Sequence, residues 1–132
     1  MKNKLTILVL FILLFSNMNY AADIHVPADY STIQAAINAA SPGDVIIVSN
    51  GTYTEDLVIN IANLTIRSVN GSASTTIRLV DGVGIDLQAG ATNFTLGIAS
   101  KGFKILSGAA TTFLIQLTNA PSGVTIQYNT IN

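Results

Sequence analysis

Asp81 and Asp86, in Asp81-Gly82-Val83-Gly84-Ile85-Asp86, are the nearest this sequence comes to an acid–base pair for work on a sugar. That chemistry needs one carboxyl to donate a proton while its neighbour stays ionised, with the two groups held roughly 5 to 10 Å apart. A plainer assignment outweighs it: Asp81 forms a turn with Gly82, and Asp86 is an outward strand position. A second acidic pair, Glu55-Asp56, follows the turn residues Gly51-x-Tyr53 and reads as ordinary surface. His25 is the only histidine and there is no cysteine, which excludes multi-histidine and thiolate metal sites. The acidic residues are scattered singly or in pairs, unlike the clustered oxygen ligands that calcium prefers. The expectation is a chain without metal or cofactor.

Two other sets of side chains suit binding better than bond-breaking. Thr65, Thr95 and Thr125 stand 30 residues apart. On neighbouring strands they form a hydroxyl ladder able to meet a periodic ligand such as a polysaccharide or ice. β-Branched residues also fill strands for their propensity alone. Arg78 and Lys104 fall at what the pattern predicts to be equivalent outward positions, where they can meet a uronate or another acidic sugar.

The threonines belong to a phrase that occurs three times, as Asn63-Leu64-Thr65-Ile66, Asn93-Phe94-Thr95-Leu96 and Gly123-Val124-Thr125-Ile126. A period of 30 residues suits a coiled repeat architecture. In a strand, Leu64, Ile66, Phe94, Leu96, Val124 and Ile126 face inward while the threonines face out. Asn, Asn and Gly before the three copies are the types that best tolerate a left-handed backbone, so each strand is expected to begin at the same tight corner.

The remaining elements fit such a coil. Ile24-His25-Val26 alternates as a short strand ended by Pro27. Residues 30–40 place Ile33, Ala36, Ile37 and Ala40 on one helical face, with Asp29, Ser31 or Thr32 as N-cap and Ser41-Pro42-Gly43 as the stop. This helix is expected to cover the first end of the stack. Residues 45–48 form a continuous apolar strand, and Asn50-Gly51 turns the chain. Two further strand families follow: Leu57-Val58-Ile59 with Ile85-Asp86-Leu87 and Ile115-Gln116-Leu117, and Ile77-Arg78-Leu79 with Phe103-Lys104-Ile105, which Thr130-Ile131 extends. Residues 68–76 and 107–112 are small and polar, and read as outer loops. Hairpin signals between sequential strands are scarce, so a right-handed parallel β-helix of about three turns with an N-terminal capping α-helix is predicted, and a β-sandwich is the alternative.

Lys2 and Lys4 precede an apolar run at residues 5–15 that is too short to span a bilayer, so residues 1–22 read as a signal peptide and 23–132 as the mature domain. Without the leader the chain keeps four basic and seven acidic residues, a net charge of −3. That is no nucleic-acid footprint. A secreted, periplasmic or cell-surface location is expected, with no membrane span after leader removal.

Tyr30-Ser31-Thr32-Ile33-Gln34-Ala35-Ala36-Ile37, then Pro42-Gly43-Asp44, an apolar strand and Gly51-Thr52-Tyr53-Thr54-Glu55, resembles the start of secreted β-helix proteins of the pectin-lyase-like superfamily, which includes pectinesterases and NosD-type proteins. The resemblance covers residues 24–66 and implies that the helix caps the coil. It also implies that a carbohydrate-active member would carry its chemistry on outward side chains of later turns. No pectinesterase catalytic motif is matched, and one histidine with no cysteine lends no support to a NosD-like copper site. The expected function is therefore carbohydrate binding at or outside the cell surface. The alternatives are the N-terminal part of a pectinesterase-like or lyase-like enzyme, and a structural stalk or adhesin. A chain truncated at its C-terminus, self-associating through residues 113–132, is a further expectation.

Overall fold

A computed structural model describes residues 20–119 and 121–132, so nearly all of the proposed leader lies outside the described residues. The fold is mostly strands, with one short helix. In chain order the elements are β1 (Asp23–Val26), α1 (Ile33–Ala39), β2 (Val45–Val48), β3 (Gly51–Thr54), β4 (Leu57–Ile59), β5 (Thr65–Ser68) and β6 (Thr75–Arg78). They continue with β7 (Asp81–Leu87), β8 (Thr95–Leu96), β9 (Lys104–Leu106), β10 (Ala110–Leu117), β11 (Thr125–Ile126) and β12 (Thr130–Ile131).

All strand pairs are parallel, in three sheets. Sheet 1 has the order β1-β2-β5-β8-β11, sheet 2 the order β12-β9-β6-β3 and sheet 3 the order β10-β7-β4. From β2 onward the chain visits sheets 1, 2 and 3 in rotation, and each visit adds a strand beside the previous one. No sequential neighbours pair except β1 with β2, which are separated by α1. The antiparallel pairing that a sandwich requires is missing from the described strands.

Alternation along each strand builds the core. Ile24, Val26, Ile46, Val48, Leu57, Ile59, Leu64, Ile66, Ile77, Ile85, Leu87, Phe94, Leu96 and Ile105 belong to one buried cluster. Val124 and Ile126 face the same interior but are only half-buried. The expected corner is present: Asn63, Asn93 and Gly123 have φ of 58°, 54° and 70°. Their backbones stack turn on turn, with Asn63 N–H donating to Thr92 O and Asn93 N–H to Ser122 O at 2.8 Å each. The side chains do the same, since Asn93 Nδ2 donates to Asn63 Oδ1 at 3.0 Å.

Helix α1 is shorter than the periodic stretch suggests and takes Thr32 as its N-cap, which accepts from Ala35 N–H. It buries Ile33, Ala36 and Ile37 against β1, β2 and β4. Several boundaries differ from expectation. Gly51–Thr54 is a strand rather than only a turn, because its backbone pairs with β6 although Tyr53 alone points a large side chain inward. The outer loops are shorter, since Thr75 and Thr76 already belong to β6 and residues 110–112 to β10. Asp81-Gly82 opens strand β7 instead of lying outside it.

Candidate functional site

The carboxylates that draw attention in the sequence turn out to hold backbone. Glu55 accepts from the N–H groups of both Ile33 (3.0 Å) and Gln34 (2.8 Å), the first two residues of α1. These donors have no intrahelical partner, and a carboxylate there also meets the positive end of the helix. Asp56, on the next residue, accepts from Val80 N–H (2.8 Å) and Asp81 N–H (3.1 Å), one turn further along. The pair therefore fastens the helix to one turn and that turn to the next. Asp44, buried, accepts from Ala22 N–H and Ser41 N–H at 2.8 and 2.7 Å.

Asp81 and Asp86 are not brought together. Both lie on β7, and five residues of extended strand separate their Cα atoms by about 16 Å. The spacing exceeds what either glycosidase geometry uses. Asp81 is exposed at the start of the strand. Asp86 stands on the outer face of sheet 3 between Val58 and Gln116, and accepts from Thr118 Oγ1 at 2.6 Å and Gln88 Nε2 at 3.2 Å. Beside it, Gln116 Oε1 is buried without a hydrogen-bond partner among the described residues. Tyr53, whose hydroxyl donates to Ser49 O at 3.1 Å, has its pKa raised above the ordinary value by burial and then by the charge of Glu55. Among the described residues no group of three or more His, Cys, Asp or Glu is placed to hold a metal ion.

Thr65, Thr95 and Thr125 are direct register partners on β5, β8 and β11. Adjacent hydroxyl positions are thus about 4.8 Å apart. The column continues upstream as Val45 and Asp23, so hydroxyls occupy only its last three places.

Arg78 and Lys104 are not equivalent, contrary to the pattern. Lys104 pairs with Thr76, and Arg78 pairs with Leu106. The displacement arises because Ile77 stacks on Ile105, leaving Phe103 to fill the interior of the corner before β9, its N–H bound to Asn129 Oδ1. A shift of two residues keeps both cations on one face. It also lines up a second hydroxyl column that the sequence reading missed, Thr52-Thr76-Lys104-Thr130, beside Thr54-Arg78-Leu106. No acidic residue occupies an outward position of sheet 2. Among the described residues neither Arg78 nor Lys104 makes an ion pair.

Between sheets 1 and 2 lies an open depression of about 340 Å³ lined by Ser49, Asn50, Val69 and Asn70. Its rim is tied by Asn70 Nδ2 donating to Asn50 Oδ1 (3.0 Å) and by Lys101 Nζ donating to Val69 O. No described helix is long and apolar enough to cross a membrane. No family model, curated protein or solved structure matches this chain.

Proposed function

We propose that the chain is an exported right-handed parallel β-helix domain of pectin-lyase-like type that binds polysaccharide on its outer surface, with sheet 2 as the binding face and an acidic chain as its ligand. The rotation of the strands through three parallel sheets supports the fold assignment. The observation that carries the function is the outer face of sheet 2, where Lys104 and Arg78, without an ion pair among the described residues, stand among Thr52, Thr54, Thr76 and Thr130. Hydroxyls repeating across parallel strands offer donors and acceptors to sugar hydroxyls, and two cations on a face without acidic residues favour carboxylate or sulfate groups. An open, periodic face suits an extended polymer better than a small molecule.

The test is affinity electrophoresis of residues 23–132 in gels containing polygalacturonate or neutral dextran. Retardation by the acidic polymer alone is expected, with loss on Lys104→Glu or Arg78→Glu and no loss on Thr95→Lys, which alters sheet 1. Equal retardation in both gels, or retention that ignores Lys104→Glu, would overturn the assignment. The enzyme alternative is tested by turnover of methylated and demethylated pectin. None is expected, because Asp86 is engaged by Thr118 and Gln88 and Asp81 is remote from it. Turnover abolished by Asp86→Asn would reinstate the carboxylates as a site.

A further inference from the structure

The corner between sheets 1 and 2 changes size from turn to turn. Ser49 and Asn50 alone join β2 to β3, whereas residues 69–74 join β5 to β6 and residues 97–103 join β8 to β9. With the interior filled by Ile66, Ile77, Leu96 and Phe103, the added residues extend outward. The step they make beside the short corner is the depression lined by Ser49, Asn50, Val69 and Asn70. Its volume of about 340 Å³ lies at the small end of the range for small-molecule sites, roughly 300–1,000 Å³.

The groups around it can bind more than they do. Asn70 Nδ2 donates to Asn50 Oδ1, which leaves the Asn50 amide nitrogen and the Asn70 amide oxygen without a partner among the described residues. Lys101 Nζ donates to Val69 O, and the ammonium keeps two further donors. It makes no ion pair among the described residues. Along the chain the nearest acids are Asp44, five residues before Ser49, and Glu55, five after Asn50, each about 16 Å of extended backbone away. The longer corners, 69–74 and 97–103, contain no acidic residue. Amide donors and acceptors, one positive charge and the apolar Val69 side chain match the hydroxyls, carboxylate and C–H face of a sugar acid. The depression also opens beside sheet 2. Asn50 precedes Thr52 by two residues, about 7 Å of extended chain, and Ser72 of the longer corner accepts from Thr130 Oγ1 at 3.3 Å, in the column that holds Lys104.

Resting on the reading of sheet 2 as the face for an acidic polysaccharide, we propose that this depression is a subsite for one uronic acid residue of that chain. The carboxylate meets Lys101 Nζ, the ring hydroxyls meet the Asn50 and Asn70 amides, and the C–H face of the ring lies on Val69. From there the polymer runs past Thr52 toward Lys104 and Arg78, so that three cations face one anionic chain.

A monosaccharide separates this subsite from the face beside it. Isotope-labelled residues 23–132 are titrated with D-galacturonate, D-galactose or acetate while backbone and side-chain amide resonances are followed. Galacturonate is expected to shift residues 49–50, 69–70 and Lys101. Galactose, without the carboxylate, and acetate, without the ring, should each bind about tenfold more weakly. Lys101→Gln and Asn70→Ala should each cost about tenfold in galacturonate affinity, and Thr95→Lys, on sheet 1, nothing. Unchanged resonances elsewhere check that each variant is folded. If Lys101→Gln is not, Asn70→Ala decides, since the Asn70 side chain bonds only Asn50 among the described residues. Shifts confined to Lys104 and Arg78, equal affinity for galactose or acetate, no shift at all, or an affinity indifferent to Asn70→Ala would each overturn the subsite. Sheet 2 stands or falls separately, on retardation by polygalacturonate.

Discussion

Phe94 is the largest side chain of the repeated phrase and is completely buried, lying between the Leu64 and Val124 positions of adjacent turns. Truncation to alanine leaves a cavity that flanking β-strands cannot collapse to fill, so Phe94→Ala should cost about 3–5 kcal/mol in urea unfolding. A loss under about 1 kcal/mol would mean the ring is not core. The asparagine corner makes a smaller, backbone-centred demand. At Asn93 a left-handed residue with a stacking amide is replaced in Asn93→Ala by one that does neither, and about 1–2 kcal/mol should be lost. Tyr53 adds a pH dependence. Its folded pKa is raised, so above the ordinary tyrosine value of 10.0 the folded state holds more protons than the unfolded. Stability is then full below pH 10 and falls as pH rises through the folded pKa. Alkaline melts of Tyr53→Phe should lack that decline. Residues of this kind divide sharply in how far the sequence reveals them. Asn and Gly at a fixed place in a repeat announce a left-handed corner, because few other types tolerate it. Glu55 announces nothing, because the donors it serves are 21 and 22 residues away and its role depends on how the helix docks.

Helix α1 depends more on the turns beneath it than on its own seven residues. A helix this short is unstable alone, and it has no acidic residue in its first turn. Glu55 supplies that charge from β3–β4, Gln34 anchors the second residue to Val58, and Ile33, Ala36 and Ile37 supply the apolar contact. Glu55→Ala leaves the Ile33 and Gln34 donors without a protein partner and should destabilise the domain by about 1–3 kcal/mol, with hydrogen exchange faster in α1 than in β5. Equal exchange in the two elements would show that the carboxylate is not what holds the helix. The sequence revealed the helix through its apolar spacing and its Ser41-Pro42-Gly43 stop, β2 through its continuous apolar run, β4 through its likeness to later strands, and β5 and β8 through the alternation of the repeated phrase. It hid β3, where Gly51-Thr52-Tyr53-Thr54 offers one apolar side chain and resembles a turn. It also misplaced the cations of sheet 2, since Lys104 follows Arg78 by 26 residues whereas the register step from Thr76 to Lys104 is 28. Variable corner lengths accommodate such differences without disturbing the ladder, so a constant period read from one sheet does not carry over to another.

Across the molecule, each turn is stabilised mainly by the turns it touches, as in other repeat architectures. The inward positions make the gradient visible. In sheet 1, Ile66 and Leu96 are fully buried while Ile126 is half-buried, and in sheet 3, Ile85 and Leu87 are fully buried while Ile115 is partly covered and Leu117 is open to solvent. Polar ties thin out in the same direction: Asp44, Glu55, Asp56 and Gln34 each bind two backbone groups in the first turns, and among the described residues of the last turn only Asn129 does comparable work, on Phe103 N–H, Leu96 O and Gln127 O. Protection against amide exchange should therefore fall from β2, β5 and β4 through β8 and β9 to β11 and β12. Asn129→Ala should deepen the drop for β9, β11 and β12 and leave β2 and β5 unchanged, because two of the bonds it removes, to Phe103 N–H and Leu96 O, lie between the last two turns and the third, to Gln127 O, lies within the last. Uniform protection from β2 to β12, or an effect of Asn129→Ala that reaches β2, would mean that the turns unfold as one unit and that neighbour-by-neighbour stabilisation does not describe this chain.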